Sequence, residues 1–242
     1  MFSMFPFVDR FSAPCHIIMV YGGTLEKNFG RDTVRWLAES LAHEGFCVHR
    51  FDFRTNLPGA EYSSFGMMDK INDLFSVYGS LHARASKDPR ANIFLLGTSM
   101  GGYIATILAS YLPGRQSGVI LIAPAAYHPD VLTYSVRFGS SFREIIRRPG
   151  SWEQSNAFEA TRKISRSLLI SYEDDDVIPP GVIEKYRQSL GTAVSSDELT
   201  RKHYVCLPGR HQGSFADPER MSLITQETLQ FVSGFVDVSV YR

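Results

Sequence analysis

The stretch NIFLLGTSMGGYIATILASYL, Asn92 to Leu112, decides how the rest of the chain is read. Ile93 to Leu96 is a continuous apolar run closed by Gly97, and from Tyr103 onward apolar residues recur at helical spacing through Leu108 and Leu112. The five residues Gly97-Thr98-Ser99-Met100-Gly101 are therefore a strand-to-helix turn. A turn that sharp drives its middle residue into sparsely populated backbone angles and brings the flanking segments close, so the positions beside Ser99 need almost no side chain. Gly97 and Gly101 meet that need. The spacing lifts the Ser99 hydroxyl above the carboxyl end of a sheet, with the first amides of a helix facing the same space. A glycine-rich turn capped by a serine is the plainer alternative.

Working outward, short apolar runs alternate with amphipathic stretches. HIIMVYGG precedes DTVRWLAESLAHEG, FCVHRFDF precedes MMDKINDLFSVYGSLHARA, and then come the Ser99 strand and its helix. GVILIAPAA, SLLISYEDD, a helix from about Gly181 to Leu190, the strand HYVCLPG and a last helix within Pro218 to Val236 continue the rhythm. Alternation of this kind predicts right-handed βαβ crossovers and a mostly parallel, doubly wound sheet in a three-layer α/β/α sandwich. The strand runs lack polar alternation, as expected where helices cover both faces. No internal repeat interrupts the pattern, and residues 1–242 are read as one domain.

One interval breaks the rhythm. About forty residues separate LIAPAA from RSLLISY, more than an ordinary connection requires. Residues 127–167 are expected to form a small helical lid, its first helix closed by Pro149-Gly150. Arg143 and Arg147 share one face of that helix, either as a solvated surface or to meet an anionic group on a substrate.

Composition narrows the function classes. Twenty-five basic residues balance twenty-five acidic ones, so no global field favours nucleic acid or an anionic membrane. The opening MFSMFPFVDRFSAPC has no basic leader, and no apolar run is long enough to span a bilayer; a cytoplasmic protein, monomer or homodimer, is expected. Cys15, Cys47 and Cys206 lie in or beside strand-like segments and read as buried reduced thiols. They show neither a disulfide framework nor zinc-type Cys/His spacing.

A serine becomes nucleophilic at neutral pH when a base takes its proton and a carboxylate orients that base. In LLISYEDDDVIPP a buried strand runs straight into acids, and in HYVCLPGRHQGSF another strand ends in a Pro-Gly turn followed by His211. Three strand ends thus deliver a serine, an acid and a histidine to one sheet edge, where open α/β sheets build their sites.

On these residues the chain resembles the α/β-hydrolase superfamily, in particular the small bacterial serine esterases of feruloyl-esterase-like and monoacylglycerol-lipase-like type. The resemblance implies the chain order Ser99, Asp175, His211, with Asp175 selected because DDVIP matches the family's D-x-x-[VI]-P turn. Asp174 and Asp176 are its solvated neighbours, and Asp130 is the fallback acid. It also implies an oxyanion hole made by the amides of Met100 and Gly23, with Thr24 as the rival second donor. Tyr21 stands where the family commonly has the histidine of a His-Gly pair, and Arg210 stands where a small residue is usual. Tyr21, Gly22, Thr24, Tyr127 and His128 are the expected substrate contacts. The implied activity is hydrolysis of a small-molecule carboxylic ester or thioester through an acyl-enzyme, requiring no metal and no organic cofactor. An acyltransferase or carbon-carbon bond hydrolase using the same three residues, or a non-catalytic binding protein, are the other readings.

Overall fold

The computed structural model describes residues 3–4, 15–22, 29–85, 87, 91–112, 117–191, 201–211 and 217–235. Seven strands form one sheet: β1 (Ser3–Met4), β2 (Cys15–Val20), β3 (Cys47–Arg50), β4 (Asn92–Thr98), β5 (Ser117–Ile122), β6 (Arg166–Tyr172) and β7 (Arg201–Leu207). Their spatial order is β1-β3-β2-β4-β5-β6-β7. Six strands run parallel, and β1 lies antiparallel on the outside of β3. That edge strand is an addition to the sequence expectation: two residues are too short to carry a periodic signal.

The longer helices are α1 (Phe29–His43), α2 (Met67–Ala85), α3 (Met100–Ala109), α6 (Pro180–Leu190) and α7 (Pro218–Val232). Their ends follow local chemistry. Asp69 in the first turn of α2 accepts the Gly66 amide, and His82 and Arg84 sit in its last turn, where positive charge suits the helix dipole. Asp217 caps α7 by accepting the Glu219 and Arg220 amides, with Pro218 at the first helical position. Helix α1 packs on α7, whereas α2 packs on α3. Right-handed crossovers account for this split: the chain leaves β2 toward β3 through α1, then reverses direction toward β4 through α2. Strands β2, β4, β5 and β6 are buried along their whole length because both faces are covered.

The reversal leaves a crevice at the carboxyl ends of β2 and β4, the usual place for a site in such sheets. Tyr21 and Gly22 leave β2 on one side of it, and Ser99 leaves β4 on the other.

Close approach at this crevice explains the glycines. A Cβ on Gly97 would lie 2.6 Å from the Gly101 carbonyl oxygen, and one on Gly101 would meet the Val20 carbonyl, with its carbon at 2.6 Å. Both obstacles are backbone and cannot rotate away. Gly101→Ala is accordingly expected to cost about 1–3 kcal/mol, as overpacking does. Thermal melts should show a midpoint lowered by about 3–10 °C; an unchanged midpoint would refute the close approach.

Between β5 and β6 the chain forms short 3₁₀ turns at Pro129–Leu132 and Ser151–Gln154 and two helices, α4 (Ser140–Ile146) and α5 (Ala157–Lys163). Helix α5 packs against α3 and α6. Helix α4 stops at Ile146, with Arg147 as its cap, three residues before Pro149. No helix among the described residues is long and apolar enough to cross a membrane.

Cys15 and Cys47 are buried, but Cys206 is exposed, against expectation. β7 is the outer strand of the sheet, and most of its residues are only partly covered.

Candidate active site

Ser99 sits between β4 and α3 with φ 52° and ψ −122°, a conformation that side-chain-bearing residues rarely adopt. Hydrogen bonds on both sides hold it there. Its amide donates to the Ile122 carbonyl at 3.1 Å, and its carbonyl accepts from Gly102 at 2.9 Å and Ala125 at 2.9 Å. The end of β5 is fixed in turn: Ala123, the other described non-glycine residue with positive φ (43°), donates to the Ile170 carbonyl at 2.8 Å. Strain of about 1–3 kcal/mol per such residue persists only where neighbouring structure over-determines it. This chain of bonds across three strand ends does so.

The acid and the histidine are brought together by the same device. Beyond β6 and β7 the backbone pairing continues as two loop bonds, Glu173 amide to Leu207 carbonyl and Asp174 amide to Gly209 carbonyl, each 3.0 Å. They align the two loops so that Asp175 Oδ2 lies 3.0 Å from His211 Nδ1. The other oxygen, Oδ1, accepts the amides of Val177 at 2.9 Å and Ile178 at 2.7 Å. Burial pushes the Asp175 pKa up, but the His211 contact and these two amides outweigh it and hold the carboxyl below the ordinary aspartate range. Asp175 is thus an ionised, fixed partner for His211 Nδ1.

The alternative acids are elsewhere. Asp174 and Asp176 are exposed. Asp130 pairs with Arg148 at 3.3 Å and with His128 at 3.3 Å, away from His211.

Gly22 lies directly against the serine: a Cβ there would be 3.1 Å from Ser99 Cβ and 3.6 Å from its Oγ. Met100 is the first residue of α3, where helix amides have no intrahelical acceptor. Gly23 and Thr24 lie outside the described residues. The Tyr21 hydroxyl donates to Asp52 Oδ1 at 2.8 Å and accepts from Asn56 Nδ2 at 3.3 Å, so this side chain braces the loop after β2 against the loop after β3. Tyr127 stacks edge-on against Tyr103, one helical turn beyond Ser99, with centroids 5.1 Å apart. His128 caps the following turn and contacts Gln154 at 3.1 Å. Arg143 and Arg147 are exposed on α4.

An aromatic wall extends from Tyr103 and Tyr127 through Phe142 and Phe138 to Tyr62. Sequence reasoning missed it, because its members come from three separate segments. It also missed Lys70. This side chain is 1 % exposed, with its amine 4.5 Å from the centre of the Phe53 ring and 5.5 Å from that of Phe138. Burial lowers its pKa to about 8 despite the charge of Asp73. Between about 8 and the ordinary lysine value the unfolded chain binds a proton that the folded chain does not, so stability rises with pH across that window. Melting midpoints from pH 7 to 10 should therefore climb for the wild type relative to Lys70→Met. Parallel profiles would refute this assignment.

A family model described as serine aminopeptidase, S33, matches residues 30–151, half of the chain. The chain belongs to this hydrolase family. Solved structures similar to this S33-family chain share its fold. A soluble variant of monoglyceride lipase from Saccharomyces cerevisiae, in complex with a substrate analog, aligns with TM-score 0.71 at 16% identity, covering 98% of this chain and 91% of that one. A structure from the metagenome-derived lipolytic enzymes LipS and LipT gives 0.66 at 20% identity, with 91% and 94% covered. The monoacylglycerol lipase of Paleococcus ferrophilus gives 0.59 at 20% identity, with 90% and 94% covered. A search of the curated proteins found no match. The S33-family chain is therefore an α/β hydrolase, as the resemblance implied.

Proposed function

We propose that this α/β hydrolase cleaves carboxylic esters, and thioesters by the same chemistry, through Ser99, His211 and Asp175. The observation that carries the reading is the 3.0 Å contact between Asp175 and His211 at the sheet edge that also presents the strained Ser99. His211 Nε2 takes the Ser99 hydroxyl proton as Oγ bonds to the substrate carbonyl carbon. Negative charge then moves to the carbonyl oxygen, where the amides of Met100 and Gly23 are the assigned donors. The proton passes from His211 to the leaving oxygen or sulfur, and the acyl group stays on Ser99. Water, deprotonated by the same nitrogen, releases the acid and restores the serine. Asp175 fixes the imidazole tautomer and stabilises its charged form throughout.

The helical interval is the cap over this edge, and it ends at residue 165, two residues short of the expected 127–167, because β6 begins at Arg166. Arg137 ties it to α2 through Asp69 at 2.8 Å, and Phe138 donates its amide to the Phe65 carbonyl at 2.7 Å. The aromatic cluster beneath it packs the cap onto the core, and an ester with an apolar acyl chain is in keeping with the lipolytic proteins whose fold this chain shares. Tyr127 belongs to that cluster, and Gly22 lies against Ser99. Tyr21 and His128 hold the surrounding loops.

The family description favours one other reading, removal of an amino-terminal residue from a peptide. Hydrolysis of p-nitrophenyl esters from acetate to dodecanoate, acyl-CoA thioesters and aminoacyl p-nitroanilides separates the two. The expected result is ester hydrolysis with a chain-length optimum that disappears in Ser99→Ala. Preferential cleavage of the anilides would replace the esterase reading with the peptidase one.

A further inference from the structure

The structure brings together three side chains that the hydrolytic site does not use. His16 lies on β2, and Cys47 and His49 lie on β3. The parallel register pairs His16 with Cys47 and Ile18 with His49, so all three side chains project from one face of the sheet. His16 is 0 % and His49 3 % exposed. His16 Nδ1 and His49 Nε2 are 3.0 Å apart, and Cys47 Sγ is 3.4 Å from the same His49 nitrogen. Their three donor atoms all lie within 4.8 Å of one another, the one such group of three or more among the described residues.

Two of the three separations are close to those of a metal's ligand shell, and the third, within 4.8 Å, closes with a small side-chain adjustment. A tetrahedral zinc ion with ordinary bond lengths holds its nitrogens about 3.3 Å apart and nitrogen from sulfur about 3.5 Å. The observed separations are within a few tenths of an ångström of both. A single nitrogen, His49 Nε2, is in contact with both of the other ligand atoms, so a cation entering among them would replace these mutual hydrogen bonds with three metal bonds. Two imidazoles and a thiolate select a borderline-to-soft ion.

We propose that His16, Cys47 and His49 form a binding site for one transition-metal ion, zinc in the first instance, with a fourth position for water or another donor. Binding needs neutral imidazoles and a thiolate, so the Cys47 proton is released as the ion enters. The site lies beside the first half of β2, from His16 to the level of Ile18, whereas Ser99 follows the carboxyl end of β4. Four residues of strand run from His16 to the end of β2 at Val20, on the order of 13 Å, before the chain reaches Gly22 beside Ser99. The ion therefore takes no part in the hydrolytic chemistry; it cross-links two adjacent strands near the sheet's edge and stabilises their pairing.

The test is metal analysis of the intact protein, stripped with chelator and then equilibrated with zinc sulfate or cobalt chloride. The expected result is about one equivalent of zinc retained through desalting, and a zinc absorption spectrum fitted by one sulfur at about 2.3 Å and two nitrogens at about 2.0–2.1 Å. Cobalt should give a thiolate charge-transfer band and tetrahedral ligand-field bands. Saturating zinc should raise the melting midpoint by about 5–10 °C. Cys47→Ser and His49→Gln should lose the retained zinc, whereas His203→Gln, on the outer strand, should keep it. Absence of retained zinc in the wild type, or an oxygen-only ligand shell, overturns the proposal without needing any variant to fold. Ester hydrolysis should be equal with and without zinc, so failure of this site and failure of the esterase reading are read separately.

Discussion

Ser99→Ala is expected to lower kcat for ester hydrolysis by about 10⁶, the scale of removing the nucleophile from an intact site, while leaving the fold in place. The residue's backbone adds a second expectation. At φ 52° and ψ −122° any side chain is strained, and glycine alone adopts such angles freely. Ser99→Gly should therefore lose the same activity and gain about 1 kcal/mol of stability. The two readouts move in opposite directions, which a purely structural serine would not produce. Denaturant midpoints beside initial rates check the pair; retained turnover in either variant would remove Ser99 from the mechanism, and a less stable glycine variant would contradict the strain.

Asp175→Asn is expected to reduce kcat by about 10⁴, because the amide can present the wrong partner to His211 Nδ1 and favour the unproductive tautomer. Asp174→Asn and Asp176→Asn should remain near wild type, since both acids are exposed while Asp175 alone contacts His211. A stability effect accompanies the loss. The Asp175 pKa lies lower in the folded chain than in the unfolded one, so its contribution is fully present above the ordinary aspartate value. It is lost as pH falls through the folded-state value. The variant should thus be less stable than the wild type at neutral pH, with the gap closing only in acid. Equal kcat losses for all three asparagine variants would argue against Asp175 as the orienting group.

Much of this was legible in the sequence because it is local. The apolar run Ile93 to Leu96, the glycines around Ser99 and the helical spacing after Tyr103 are all within one segment, and β4 and α3 occupy those places. The acids after SLLISY and His211 after the Pro-Gly turn could be placed at a sheet edge for the same reason: strand ends are marked by composition. What pairs across strands was not legible. The Glu173–Leu207 and Asp174–Gly209 bonds that bring Asp175 to His211 join loops more than thirty residues apart. His16 meets His49 through a register that no local pattern reveals; the alternation Cys47, His49 on a short strand was the available signal. Cys206 was misread because its apolar surroundings resemble those of a central strand, whereas β7 lies at the edge. Lys70 sits in the amphipathic α2, where a lysine is ordinarily solvated, and only the packing of Phe53, Tyr62 and Phe138 encloses it.

The most direct test of the central claim is reaction of the folded protein with a fluorophosphonate, followed by intact mass and peptide mapping. The account predicts one adduct, carried by Ser99, absent from Ser99→Ala and strongly slowed in variants of His211. No adduct on the folded wild type, or an adduct that persists in Ser99→Ala, would contradict it.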